Sequence, residues 1–497
     1  MVRRIPVFVG VVALVGIWSW AGVLADEPDR PKEDYYELQK LLVDTLDQVE
    51  RNYVKDVSRR ELIEAAISGI LAKLDPYSAY ISPEELDLFR SSIDGDFGGI
   101  GIQIAIDDGR LKVLSPLVGT PAYRAGLMAG DQILEINGEA TEGITLEKAV
   151  HKLKGEAGSD VTLTVLHPDQ AEKVTITIRR ETIRVSTVLG DRHQEDDRWD
   201  FMLDPQAQVG YIRITAFSRG TAGELREALE ELKKLGLRGL ILDLRFNPGG
   251  LLSSAIEVSD LFVSQGRIVS TEGRNSPERA WDATEPGTFE GFPMVVLVNR
   301  YSASAAEIVA ACLQDHKRAV VMGERTWGKG SVQNVVELER RPDEGVARSA
   351  LKLTTASYHR PSGKNIHRFP DDDEAAEWGV MPDDGYQLKL TDEELVAVIQ
   401  DRRQRDILQP KPAQPVEVAV SGQGAPHEEP ASGAGKEEPT PPQENAEGQP
   451  NKPQETGSNS QEEPKTADEP QPSQPEPSEF VDPQLRMAID YLVQHEG

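Results

Sequence analysis

Between Val209 and about Leu390 short apolar runs alternate with helical patterns, and no other feature limits the fold so sharply. Val209 to Ile214, Gly239 to Leu244, Met294 to Val298 and Ala319 to Met322 are too short for helices and largely apolar, so they read as buried strands. Ala222 to Leu235 and the stretch from Ala305 to Gln314 carry helical spacing between them. Strands alternating with helices predict a mixed α/β core.

Two residues that follow such strands carry chemistry. Ser304, in Asn299-Arg300-Tyr301-Ser302-Ala303-Ser304-Ala305-Ala306-Glu307, falls where strand gives way to helix. Lys329, in Thr326-Trp327-Gly328-Lys329-Gly330-Ser331-Val332-Gln333, stands among glycines in a tight turn. A serine hydroxyl needs a base within hydrogen-bond reach, and lysine serves as one only when desolvation keeps it neutral. Gly328 and Gly330 permit close approach, Trp327 can exclude water, and Gln333 can orient the amine. An oxyanion needs backbone N–H donors, which a helix start supplies. Ala305 is the first donor. The second comes from Asn247-Pro248-Gly249-Gly250, with Gly250 preferred over Gly249. Taken singly, a serine at a helix start is an N-cap, and a lysine in a glycine turn is a solvated charge. Gly323 to Lys329 also nearly spells a phosphate-binding loop. However, Gly330 stands where that motif needs Ser or Thr, and an extended stretch follows instead of a helix.

Around this core lie segments of different character. Residues 34–95 read as helices, with Leu38, Leu41, Leu42, Leu46 and Val49 on one stripe and Leu62, Ile63, Ala66, Ile67, Ile70 and Leu71 on another. Residues 96–183 form a β-rich module with a hairpin around Asp108-Gly109 and helices at Pro121 and Leu146. This module resembles a PDZ domain. Its amides at Gly99, Ile100, Gly101 and Ile102 make a nest for a terminal carboxylate, and a peptide would add as a strand beside them. Its last side chain would enter a pocket lined by Ile102 and Leu153. A plain bulge at Gly98-Gly99 is the alternative. Residues 409–482 are acidic, rich in Pro and Glu, and expected to be disordered, whereas 483–497 regain helical spacing. Arg3 and Arg4 precede an apolar run to Ala25, a signal peptide or membrane anchor. The formal charge of −30 argues against nucleic acid. The single cysteine, Cys312, excludes an intramolecular disulfide.

Together these pieces resemble, in order, the carboxy-terminal processing proteases (tail-specific proteases), exported bacterial serine peptidases with an embedded PDZ domain. The match includes Leu74-Asp75-Pro76-Tyr77-Ser78-Ala79-Tyr80, Gly98-Gly99-Ile100-Gly101-Ile102 and Asp243-Leu244-Arg245-Phe246-Asn247-Pro248-Gly249-Gly250. The serine and lysine stretches, Tyr358-His359-Arg360-Pro361-Ser362-Gly363 and Gly379-Val380-Met381-Pro382-Asp383 complete it. The resemblance implies a multidomain α+β protein: an N-terminal helical segment, a PDZ domain, a mixed α/β protease core over 184–408, a disordered tail and a C-terminal helix. It implies Ser304 as nucleophile, Lys329 as general base, Gln333 as its partner, and an oxyanion hole from Ala305 and Gly250 or Gly249, with no cofactor or metal. It further implies protein substrates with apolar C-termini, a periplasmic or cell-envelope location, an adaptor or activating partner, and a homodimer through the terminal helices. One departure is Lys154, where relatives often carry an arginine that couples peptide binding to activation; lysine lacks its planar fork. The rival from another class is a PDZ adaptor on an inactive protease scaffold.

Overall fold

The computed structural model describes residues 35–86, 89, 95–168, 170–338, 348–408 and 480–495. The apolar run expected to direct export and nearly all of the acidic tail lie outside the described residues. Among the described residues no helix is long and apolar enough to cross a membrane. The chain divides into two compact units, one of residues up to 87 with 333–354, the other of 88–332 with residues from 355 onward.

In the first unit two helices, Tyr35–Asn52 and Arg59–Ala72, follow the predicted stripes. Ser58 caps the second by accepting the Glu61 N–H, and Arg59 reaches back to Asp47 and Glu50 on the first. The first helix buries none of its residues, and Leu38, Leu41 and Leu42 are exposed. Beyond the second helix, Ala79–Ile81 pairs antiparallel with Ala350, Leu351 and Lys352 of a long strand, Ser349–His359.

The second unit holds the β-rich module and the α/β core. In the module a sheet runs in the order Ile102–Asp107, Arg110–Pro116, Gln132–Ile136, Asp160–Leu166, Lys173–Arg179. The first hairpin turns at Asp108 and Gly109, both at positive φ, the geometry a two-residue turn requires. Leu111, Val113, Ile133, Ile136, Val161, Leu163 and Val165 form its core, closed by Ala149 and Leu153 from the helix Leu146–Leu153.

The core sheet places Val209–Ile214, Gly239–Asp243, Met294–Val298 and Val320–Gly323 side by side, all parallel. The uninterrupted apolar character of these strands follows from burial on both faces. Leu240, Leu242, Val296 and Val298 pack with the helices Thr221–Lys234, Leu252–Asp260 and Ala305–Asp315. Tyr211, Ile241, Val295, Leu297 and Met322 face the other way and are covered by Leu485, Ala488 and Leu492 of the last helix, Pro483–Gln494. The closing helix therefore spends its apolar face inside its own chain. Arg245, fully buried, pins it there by donating to Asp482 (3.1 Å) and Gln484 (3.0 Å) while bonding Asp243.

Candidate active site

Strand order assembles the site. Gly239–Asp243 neighbours Met294–Val298, which neighbours Val320–Gly323, and all run the same way. The turns that leave their carboxyl ends, 244–250, 299–304 and 324–330, therefore emerge side by side, where parallel α/β sheets place their ligands. Sequence spacing identifies each turn but not this adjacency.

Ser304 is 4% exposed and adopts φ 57°, ψ −114° at the start of the helix Ala305–Asp315. A non-glycine residue there costs about 1–3 kcal/mol, which the surroundings must impose. The preceding turn does so. The buried Ser302 hydroxyl donates to the Leu244 carbonyl (2.8 Å) and accepts the Asn299 N–H (3.0 Å). Asn299 Oδ1 accepts the N–H groups of Phe246 and Tyr301, and Ala303 donates to the Asn247 carbonyl. Ser302 is thus engaged in holding the turn.

Glu307 stands in the serine motif, three residues after Ser304. It is fully buried and ties the Ser304 turn to the Lys329 turn. Its Oε2 accepts the N–H groups of Ser304 (2.7 Å) and Lys329 (2.8 Å). Its Oε1 accepts the Thr326 hydroxyl (2.5 Å) and the Gly328 N–H (2.7 Å). Burial pushes this carboxyl above its ordinary range, while the Thr326 hydroxyl and the three amides pull the other way. The available signal was its place three residues into a helix, where a glutamate side chain reaches back to the N-cap amide.

The lysine turn is as tight as its glycines suggest. A Cβ on Gly330 would meet the His367 nitrogen at 2.3 Å, and one on Gly328 would meet Arg368 Cβ at 2.8 Å. Tyr358 donates its N–H to the Gly330 carbonyl (2.7 Å), and its phenol interacts with the Ser304 side chain; burial raises the phenol pKa. Trp327 is 52% exposed, so about half of the residue is open to solvent. His316 ends the helix, with Nε2 at 2.7 Å from the Arg267 carbonyl oxygen, and plays no part at Ser304. Buried Cys312 has its thiol pushed up to about 12 by desolvation and behaves as a small apolar residue.

The two glycines of the 247–250 turn differ. Gly249 lies against Ser304: a Cβ there would sit 2.7 Å from Ser304 Cβ and 3.0 Å from the Ala305 nitrogen. Its own N–H is committed to Asn247 Oδ1 at 2.8 Å. Gly250 bridges Phe217 through its neighbours, with Phe217 donating to the Gly249 carbonyl and Leu251 to the Phe217 carbonyl. Among the described residues no backbone carbonyl takes the Gly250 N–H. Gln333 belongs to the other unit, where its Nε2 donates to Thr354 Oγ1 at 3.2 Å.

In the β-rich module Ile102–Asp107 is an edge strand, and Gly101 before it takes φ 79° with Thr120 so close that a Cβ would meet it at 2.4 Å. Lys154 lays its ammonium 4.5 Å from the Phe97 ring centroid. The guanidinium near Gly155 comes instead from Arg180, which caps the carbonyls of Lys152 and Leu153.

Known proteins resemble this chain along most of its length. The sequence model of peptidase family S41 matches residues 208–383, that of the PDZ domain 91–166, and that of the activating protease CtpB N-terminal domain 21–85. A carboxy-terminal-processing protease of Bartonella bacilliformis is 35% identical over 413 residues, covering 82% of this chain and 90% of that one. The carboxy-terminal processing protease CtpA of Bacillus subtilis is 36% identical over 324 residues, 65% of each chain. Among solved structures, a photosystem II D1 C-terminal processing protease is 30% identical, covers 74% of this chain and 96% of its own, and superposes with a TM-score of 0.39.

Proposed function

This chain belongs to the carboxy-terminal processing proteases, serine peptidases of family S41 with a PDZ domain, and we propose that it cleaves proteins with a Ser304–Lys329 dyad. Ser304 Oγ attacks the scissile carbonyl as neutral Lys329 takes its proton. The same lysine protonates the departing amine, and water then hydrolyses the acyl-enzyme. Ala305 and Gly250 supply the N–H donors for the oxyanion; Gly249, whose amide is already spent on Asn247, lets the backbone approach. The resemblance of the lysine stretch assigns Gln333 as the partner of Lys329.

One observation carries this reading: a single buried oxygen, Glu307 Oε2, accepts the amides of both Ser304 and Lys329. An N-capping serine and a solvated lysine have no need of that shared anchor. The edge strand Ile102–Asp107 supports capture of a substrate's apolar C-terminus by strand addition, with Ile102 and Leu153 at the pocket. Substrates are then proteins of the cell envelope, reached by export through the apolar run before Asp26. A homodimer would use the exposed stripe of the first helix, since the last helix is occupied within its own chain. An activating partner would act on this same helical segment.

The test is cleavage of an unfolded protein ending in small apolar residues. Ser304→Ala and Lys329→Ala, each checked for folding, should both be inactive. Peptide binding without turnover by the wild type would instead favour the adaptor on an inactive scaffold.

A further inference from the structure

The segment that closes the chain reaches the roots of two of the turns that form the site. Arg245, in the 244–250 turn, gives its Nε and Nη2 to the Asp243 carboxylate (3.0 and 2.7 Å). Its Nη1 goes to Asp482 Oδ1 and Gln484 Oε1 (3.1 and 3.0 Å). Gln484 is fully buried, and its Nε2 donates to the Leu388 carbonyl at 2.7 Å. Leu388 in turn gives its N–H to the Gly323 carbonyl (2.8 Å), where the strand Val320–Gly323 passes into the Lys329 turn. A guanidinium only donates and a backbone carbonyl only accepts, so the Gln484 carboxamide fits one way round and bridges the two turns.

Phe246, the next residue of the 244–250 turn, adopts φ 60°, a left-handed conformation that a bulky side chain keeps only where its surroundings impose it. Its N–H goes to Asn299 Oδ1 (3.0 Å), and its ring stacks on Tyr301 with 5.8 Å between centroids. The same side chain packs on Leu390, Leu395 and Val398, the last two from the helix Asp392–Asp406. Phe480, two residues before Asp482, packs on that cluster as well. The turn continues through Asn247, whose side chain holds the Ile214 carbonyl and the Gly249 N–H, both at 2.8 Å, and so leads to Gly250.

We propose that Phe480 and Gln484 are positioning residues for catalysis: by bracing Phe246 and Arg245 they fix the 244–250 turn, so that the Gly250 N–H meets the oxyanion only while the closing segment is docked. This rests on the reading above that Gly250 supplies an oxyanion donor. Such a donor is effective because it is fixed before charge develops, and one that is free to move must be reorganised at each turnover. Residues 409–479 separate the closing segment from the rest of the core in sequence, so the turn depends on a stretch remote from it along the chain.

The experiment uses the full chain, at a temperature where calorimetry shows each variant folded, with a short peptide substrate and a peptide aldehyde of the same sequence. Ser304 adds to the aldehyde reversibly and places an oxygen where the oxyanion forms, whereas the matching peptide alcohol cannot react. Phe480→Ala and Gln484→Met should each lower kcat about 10- to 100-fold with KM little changed. That is short of the roughly 100- to 1000-fold that losing a whole oxyanion donor costs. The inhibition constant of the aldehyde should rise by the same factor as kcat/KM falls, while binding of the alcohol stays put. Phe480→Leu should restore most of the activity. The two variants act through different neighbours, which keeps the test open should one fold poorly. Wild-type kcat in the folded variants overturns the proposal, as does a loss of kcat with unchanged aldehyde affinity. If the wild type itself holds the aldehyde no more tightly than the alcohol, the oxyanion reading fails and the proposal falls with it.

Discussion

Replacing Glu307 by glutamine should damage the site out of proportion to the change of one atom. Each carboxylate oxygen accepts two hydrogen bonds: Ser304 and Lys329 on Oε2, Thr326 and Gly328 on Oε1. An amide must turn its NH2 toward one of these pairs. The less costly choice is the Thr326 side, because that hydroxyl can rotate to accept; it already takes the Val380 N–H at 2.7 Å and has a second lone pair. The Gly328 N–H is then left facing another donor in a buried place, at about 1–3 kcal/mol. Glu307→Ala orphans three N–H groups and should cost at least about 3 kcal/mol. A loss near 2 kcal/mol corresponds to roughly 4–8 °C in the melting temperature of a domain this size. Because the lost bond belongs to the lysine turn, activity should fall further. A shift of about 1 Å between reacting groups can cost on the order of a hundredfold. The assay is peptidase kcat/KM at a temperature where calorimetry shows the variant folded. Wild-type kcat/KM together with an unmoved melting transition in Glu307→Gln would refute the claim that this carboxylate holds the two turns together.

Three further outcomes are expected. Gly101→Ala drives a Cβ into Thr120 at 2.4 Å and a left-handed backbone into strain. It should abolish binding of a labelled C-terminal peptide in fluorescence polarisation while sparing hydrolysis of short peptides; unchanged binding would contradict the strand-addition groove. Burial alone would raise the pKa of Asp243, but Arg245, aided by Arg402 and Tyr211, brings it down to about 2. A depressed carboxylate contributes stability above its unfolded value that is lost as pH falls through the folded one, about 2 kcal/mol between pH 4 and 2. Urea midpoints should drop across that window and flatten in Asp243→Asn, and identical pH slopes in both proteins would count against it. Leu492→Ala removes a side chain 1% exposed beneath the strands that carry the site, so a loss of about 2–5 kcal/mol is expected. A melting temperature like that of the wild type would mean the last helix is not docked in solution.

The α/β core and the chemistry-bearing turns were legible because fully buried strands leave continuous apolar runs and because tight turns demand glycine. Gly101, Gly328 and Gly330 each show that second signal. Strand adjacency was not legible, since local patterns carry no information about which strands neighbour one another. Glu307 was visible as a helix-start glutamate, but its four partners come from two turns separated in sequence, so its bridging role needed the fold. The closing helix was recognised by its spacing. Its place on the sheet depends on the Arg245–Asp482 bond and an apolar sheet face that no local reading connects to it.

The most direct test of the account is covalent trapping. The protein is treated with a serine-reactive organophosphonate at neutral pH, and the modified residue is located by peptide mass mapping in the wild type, Ser304→Ala, Lys329→Ala and Ser302→Ala. The account predicts a single adduct on Ser304 in the wild type and Ser302→Ala, none in Ser304→Ala, and strongly slowed labelling in Lys329→Ala. An adduct on any other serine, or labelling of Lys329→Ala at the wild-type rate, would contradict it.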